Sequence, residues 1–130
     1  MSRRSINPSG LIAHKNPIPM GCTIGNILMT SAIMGHDPTT GGFPKDKETQ
    51  IRFAFDSLKA TLLEAGATPT DIIKLDLFFI DKNDRVLVNP YWLEMFPDPA
   101  SRPTRHSQIA ILGVGCCIQI SATAVMINAV

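Results

Sequence analysis

Cys117-Ile118-Gln119-Ile120-Ser121-Ala122-Thr123-Ala124-Val125-Met126 carries the pattern that decides the fold. Ile118, Ile120, Ala122, Ala124 and Met126 fall on one side, and Cys117, Gln119, Ser121 and Thr123 on the other. Successive side chains of a strand point to opposite faces, so this is a strand with one dry face and one polar face. The rest of the chain must supply what covers the dry one.

Upstream, Ser101-Arg102-Pro103-Thr104-Arg105-His106-Ser107 leads into the apolar run Ile109-Ala110-Ile111-Leu112. Pro103 discourages helix before it, so Arg105 is expected at the start of a strand over 105–112. Gly113-Val114-Gly115 joins the two strands. If that link is a tight hairpin, Arg105, Ser107, Gln119 and Ser121 share one polar surface. A guanidinium fixed there is a fork of donors that suits a carboxylate or phosphate. His106, the neighbour of Arg105, points to the other face.

The covering element lies at Asp46 to Gly66. Ile51, Phe55, Leu58 and Leu62 recur at helical spacing with Ala54, Thr61 and Ala65 beside them, while the charges mostly lie off that stripe. This is an amphipathic helix ending at Gly66. Thr70-Asp71 leads into a strand over 72–80 in which Ile73, Leu75, Leu77 and Phe79 share the dry face. Pro90 interrupts a second helix. The simplest repair makes Asn89 an N-cap and Pro90 the first helical residue, with a separate turn at 84–88; a kinked single helix is the competing description. Tyr91, Trp92, Met95 and Phe96 are read as helix packing. Residues 22–34 read as a hairpin turning at Gly25-Asn26, followed by a loop at His36 to Gly42. Residues 1–20, with Pro8, Pro17, Pro19 and Gly10, read as an irregular lead-in.

The order is β-β-α-β-α-β-β: an α+β single domain over 1–130, one sheet with two helices on one face. The other face, with Ile109 and Ile111 assigned to it, has no helix left to cover it, and a homo-oligomer burying that face is the economical solution.

Composition narrows the classes. A net charge of +1 with no basic stripe speaks against nucleic acid or a membrane surface as partner. No apolar run approaches a membrane span, and Arg3-Arg4 lacks a following apolar signal region, so the expected compartment is the cytoplasm. The three cysteines, Cys22, Cys116 and Cys117, have neither disulfide nor metal-ligand spacing and read as core thiols. No metal is expected.

These segments together resemble the RidA (YjgF) family of small trimeric enamine and imine deaminases. Gly25-Asn26 with Thr30-Ser31, Asp37-Pro38-Thr39-Thr40-Gly41, Ala65-Gly66-Ala67 and Asp71-Ile72-Ile73-Lys74 carry the first part of the likeness. Val88-Asn89, Pro103-Thr104-Arg105 and Ile118-Gln119-Ile120-Ser121-Ala122 complete it, over about residues 16–126.

The resemblance implies a chorismate-mutase-like fold, a homotrimer with clefts between subunits, and no cofactor. It implies that Arg105 grips a substrate carboxylate. The family's glutamate, which positions the attacking water, falls on Gln119; its cleft tyrosine falls on Ile18, its cysteine on Ser107 and its hairpin glycine on Ala32. Ser31 and Asn89 complete the expected substrate-binding set. The implied activity is cofactor-free hydrolysis of a small 2-iminoacid or 2-aminomuconate-like carboxylate, with Gln119 and a backbone carbonyl orienting water. An amide cannot act as a general base near neutral pH, so His14 and His36 are the candidate replacements. The alternative is a carboxylate-binding trimer without turnover. Ribonuclease activity, also attached to this family, is the least attractive reading on charge.

Overall fold

A computed structural model describes residues 2–127. In chain order the elements are β1 (Arg4–Ile6), β2 (Gly21–Ile24), β3 (Ile27–Thr30), β4 (Ile33–Met34), α1 (Lys47–Ala65), β5 (Ile72–Phe79), α2 (Asn89–Met95), β6 (Thr104–Ile109) and β7 (Ile118–Val125). The strands form one mixed sheet in the order β1-β2-β3-β7-β5-β6, with β4 also paired to β7. The expected single sheet with two helices is therefore present, extended by two short strands. One of them, β1, lies in the lead-in expected to be irregular and pairs antiparallel with β2. Three residues are too few to show a period, and only the burial of Ile6 marks its inward side.

Helix α1 forms where the stripe predicts it. Asp46 caps it by accepting from the Thr49 amide at 3.1 Å, which satisfies one of the free donors of the first turn. Gly66 ends it at φ 82°, where its amide reaches the carbonyls of Leu62 and Leu63. Ile51, Ala54, Phe55, Leu58 and Leu62 are buried against the inward residues of the sheet.

Strand β5 departs from the simple alternation. A register irregularity between Ile72 and Lys74 inserts an extra residue. Ile72 is consequently buried and Ile73 exposed, whereas Leu75, Leu77 and Phe79 are fully buried as expected.

The larger correction concerns β6 and β7, which do not form a hairpin. Strand β5 lies between them, parallel to β6 and antiparallel to β7. Arg105 is level with Leu75, which is level with Ala122. Gln119 is level with Phe78, which is level with Gln108. Paired residues share a face, so Arg105 and Ser107 lie on the helix side, while Gln119 and Ser121 lie on the open side. The expected shared surface does not exist within one chain. Alternation fixes faces within a strand but says nothing about which strand stands next to it.

Strand β6 also stops at Ile109, short of Leu112, and Ile111 is fully exposed in the connection that follows. Ile109 pairs with Phe79 and so belongs to the helix side. The open face instead carries Ile24, Ile27 and Met29, each half or more exposed, among its apolar residues.

In the second helix, the two descriptions merge. A 3-10 segment at Lys82–Val88 runs directly into α2. Asn89 has helical dihedrals (φ −55°, ψ −40°) and is no N-cap. Pro90 follows in the first turn, where its missing N–H goes unneeded.

The connection back to β7 is held by Gln50, on the first turns of α1 and 2% exposed. Its amide nitrogen donates to the carbonyls of Pro44 (3.0 Å) and Gly115 (2.9 Å), and its oxygen accepts from the Cys117 amide at 2.7 Å. Gly35 packs so closely on this turn that a Cβ there would fall 1.9 Å from the Gln50 carbonyl oxygen. Gln50→Leu keeps the bulk and strips all three bonds, leaving a buried N–H and two carbonyls short of partners. We expect a loss of about 2–4 kcal/mol in urea unfolding with an unchanged denaturant slope. A loss below about 0.5 kcal/mol, within the range of ordinary surface changes, would show that the clamp is dispensable.

Candidate functional site

Arg105 sits on the edge strand, with its side chain turned onto the helix side and lying beneath α2. One terminal nitrogen donates to the Asn89 side-chain oxygen at 2.8 Å and the other to the Arg85 carbonyl at 2.8 Å. The guanidinium lies 5.3 Å from the centre of the Trp92 ring, which itself packs edge-on against Phe96 at 4.8 Å. Partial burial, and secondarily the charge of Arg85, lower its pKa from the usual arginine value. It remains a cation, because arginine titrates far above neutrality.

Two of its five N–H groups are thereby committed to positioning. The ion pairs among the described residues are Lys47–Asp84, Lys59–Glu94 and Lys74–Asp76. Arg105 takes part in none of them. A guanidinium that is oriented by neutral acceptors, and faces no carboxylate, is prepared for an anion from outside the chain.

Ser107 stands two residues along β6 and shares with Arg105 a shallow depression that is also bordered by Arg85, Val86, Asn89 and Trp92. Of the expected site residues, the fold brings Arg105, Ser107 and Asn89 together. Asn89 serves the cation directly and caps nothing. Arg102, three residues before it, is occupied at the end of α2, donating to the Phe96 carbonyl at 2.9 Å.

The remaining candidates lie elsewhere. Gln119 is half-buried on the open face, where its amide nitrogen meets the Met34 sulfur at 3.7 Å. Ser31 lies at the break between β3 and β4, its amide donating to the Met20 carbonyl at 2.9 Å. Ile18 is exposed in the lead-in. His106 is on the open face, level with Asp76 and Ser121. His14 and His36 share a different cavity, bordered by Met34. No group of three His, Cys, Asp or Glu among the described residues is arranged to hold a metal.

Two contributors escaped the sequence reading. Arg85 was not singled out, because nothing local distinguishes it from any exposed arginine of a turn. Trp92 was read as packing; it does pack, and it also carries the cation. The depression contains no Asp, Glu or His, so one chain offers an anion clamp without an acid or base beside it.

Comparison with known proteins places this geometry. The model of the family described as Endoribonuclease L-PSP matches residues 13–126. The Escherichia coli reactive intermediate deaminase TdcF is 33% identical over 111 residues, covering 84% of this chain and 86% of that protein. The 2-iminobutanoate/2-iminopropanoate deaminase of the same organism is 34% identical, covering 84% and 87%. The crystal structure of E. coli TdcF with bound serine superimposes with a TM-score of 0.84 at 28% identity, covering 94% of this chain and 98% of that one. With a match spanning most of its length and relatives a third identical to it, the chain belongs to the Endoribonuclease L-PSP family, the family of RidA (YjgF).

Proposed function

We propose that the protein is a cofactor-free hydrolytic deaminase of small enamine or imine carboxylates. The observation that carries the reading is the Arg105 guanidinium, fixed by Asn89 and the Arg85 carbonyl with no carboxylate of its own. Relatives named as a reactive intermediate deaminase and as a 2-iminobutanoate/2-iminopropanoate deaminase support it.

In the proposed reaction Arg105 holds the substrate carboxylate, and water adds to the carbon of a protonated C=N bond. The π electrons move to nitrogen, and a proton passes from the added oxygen to that nitrogen. An oxygen lone pair then forms the C=O bond as the C–N bond breaks with its electrons leaving on nitrogen, and the remaining hydroxyl proton passes to the departing ammonia, giving a 2-oxo acid and ammonium. Gln119 is the proposed water-orienting group. It faces away from Arg105 of its own chain, so a complete site needs Gln119 from one copy and Arg105 from another. This supports a homotrimer with clefts between subunits and Ile18, Ser31 and Ser107 as further lining. The half-exposed Ile24, Ile27 and Met29 of the open face give such an assembly apolar surface to bury.

Arg85 bears on the substrate. Its side chain is tied back to the Lys82 carbonyl at 3.0 Å, on the border of the Arg105 depression, and it pairs with no carboxylate among the described residues. Two guanidinium groups suit a dicarboxylate of the 2-aminomuconate type better than a single carboxylate. A binding trimer without turnover is the second reading. Gln119 favours it, because losing an acid–base group typically forfeits ~10²–10⁴ in rate.

Three outcomes test these proposals. Sedimentation equilibrium at micromolar concentration should give a trimer; a stable monomer would remove the composite site. Arg105→Lys keeps the charge but loses the planar two-point contact, and should weaken 2-oxobutanoate binding by about 1.5–3 kcal/mol in calorimetry. Unchanged affinity would move the clamp elsewhere.

The third outcome is steady-state ammonia release from 2-iminopropanoate by Gln119→Glu. A new carboxylate should raise turnover while lowering affinity, because it also competes for Arg105. If wild type and variant both bind 2-oxo acids yet hydrolyse neither 2-iminopropanoate nor 2-aminomuconate, the binding reading replaces the enzymatic one.

A further inference from the structure

A second cavity, of about 140 Å3, lies between the lead-in, the end of β4 and the outer turns of α1. It shares no residue with the Arg105 depression. Leu11, Met20, Met34 and Phe53 form much of its wall. Two imidazoles complete it. The Nε2 atom of His14 is buried without a hydrogen-bond partner. His36 is stacked on Phe43 with ring centres 4.3 Å apart.

An apolar cavity of about 150 Å3 accepts benzene, whereas a buried water needs two to four polar partners. Beside that nitrogen the polar groups of the wall are those of His36, Asp56 and Ser57, and the rest of the wall is apolar. Methionine sulfur and the Phe53 ring are favourable neighbours for an aromatic guest. Charge argues for a neutral one. Asp56, on the wall, opposes an anion, while the nearby Lys15 opposes a cation. Burial, followed by the neighbouring His14 and Lys15, lowers the pKa of His36 and so disfavours its charged form.

We propose that this cavity binds a small uncharged aromatic alcohol, its ring against Met20, Met34 and Phe53 and its hydroxyl hydrogen-bonded to His14 Nε2. A hydroxyl both donates and accepts, so it satisfies that nitrogen in either tautomer. Met34 also touches Gln119, so occupancy is felt at the open face of the sheet. The inference does not depend on the deaminase reading.

The test is a titration of the full-length protein, carrying methyl-labelled methionine, with phenol and with toluene. The Met20 and Met34 methyl resonances should shift saturably, at lower concentrations of phenol than of toluene. His14→Phe should weaken phenol about tenfold, the equivalent of one net hydrogen bond, and leave toluene unchanged. Ser57→Leu, which fills the cavity from α1, should abolish both responses. Absence of saturable shifts at these methyls, equal affinity for the two probes, or undiminished phenol binding by Ser57→Leu would each overturn the proposal. If His14→Phe does not fold, the comparison of phenol with toluene on the wild type decides it.

Discussion

The position of β5 between β6 and β7 is the constraint on which the rest of the molecule depends. Side chains alternate along each strand, and neighbours in register share a face. Once Leu75 is committed to the core, Ala122 is committed with it and Arg105 must follow. Because β6 is the edge strand, Arg105 reaches that face where the main core gives out and α2 begins. A cation can be half-buried there without entering the packed interior. The same parity sends Gln119 to the opposite face. Arg105 and Gln119, the proposed clamp and the proposed water-orienting amide, are therefore separated by the sheet itself, and no rotamer change reunites them within one chain.

This arrangement requires the chain to leave the edge at Ile109 and return at Ile118 on the far side of β5. Such a crossing has no ladder of its own, and buried polar groups along it need other partners. Gln50 supplies several of them, accepting from Cys117 and donating to Gly115. The end of α2 is handled similarly, with Arg102 serving the Phe96 carbonyl. Arg102 and Arg105 are near neighbours in sequence with different partners: one closes a helix end, and the other is held by Asn89 and the Arg85 carbonyl.

Much of this was legible in the residues. The periods of α1 and β7, the turn at Gly25-Asn26 and the helix stop at Gly66 are local signals, and the structure follows them. The shared surface of Arg105 and Gln119 was read wrongly, because sheet order is a long-range property that alternation does not encode. Ile73 was misplaced because a bulge is invisible to a strict period of two. Asn89 sits beside a proline in a sequence that suits a cap, yet the preceding 3-10 turn already supplies helical geometry, which frees its side chain for Arg105. Gln50 and Arg85 were missed for one reason: their importance comes from partners dozens of residues away or on another element.

Replacing a glutamate by Gln119 changes more than the supply of a base. A carboxylate facing Arg105 across a subunit boundary would neutralise part of its field and compete with the substrate for its donors. In the proposed cleft a neutral amide would leave the charge of Arg105 undiminished, with that of Arg85 on its border. In the proposed assembly the site would give up rate at the water-activating step and gain attraction for anions, most of all for those carrying two charges. Relatives with a glutamate would be expected to favour small monocarboxylates processed quickly. Under that proposal the substrate would be larger and more highly charged, with a protonated C=N carbon electrophilic enough to take an oriented but unactivated water. The substitution that weakens the case for catalysis on a simple imino acid is, on electrostatic grounds, the one that favours a dicarboxylate.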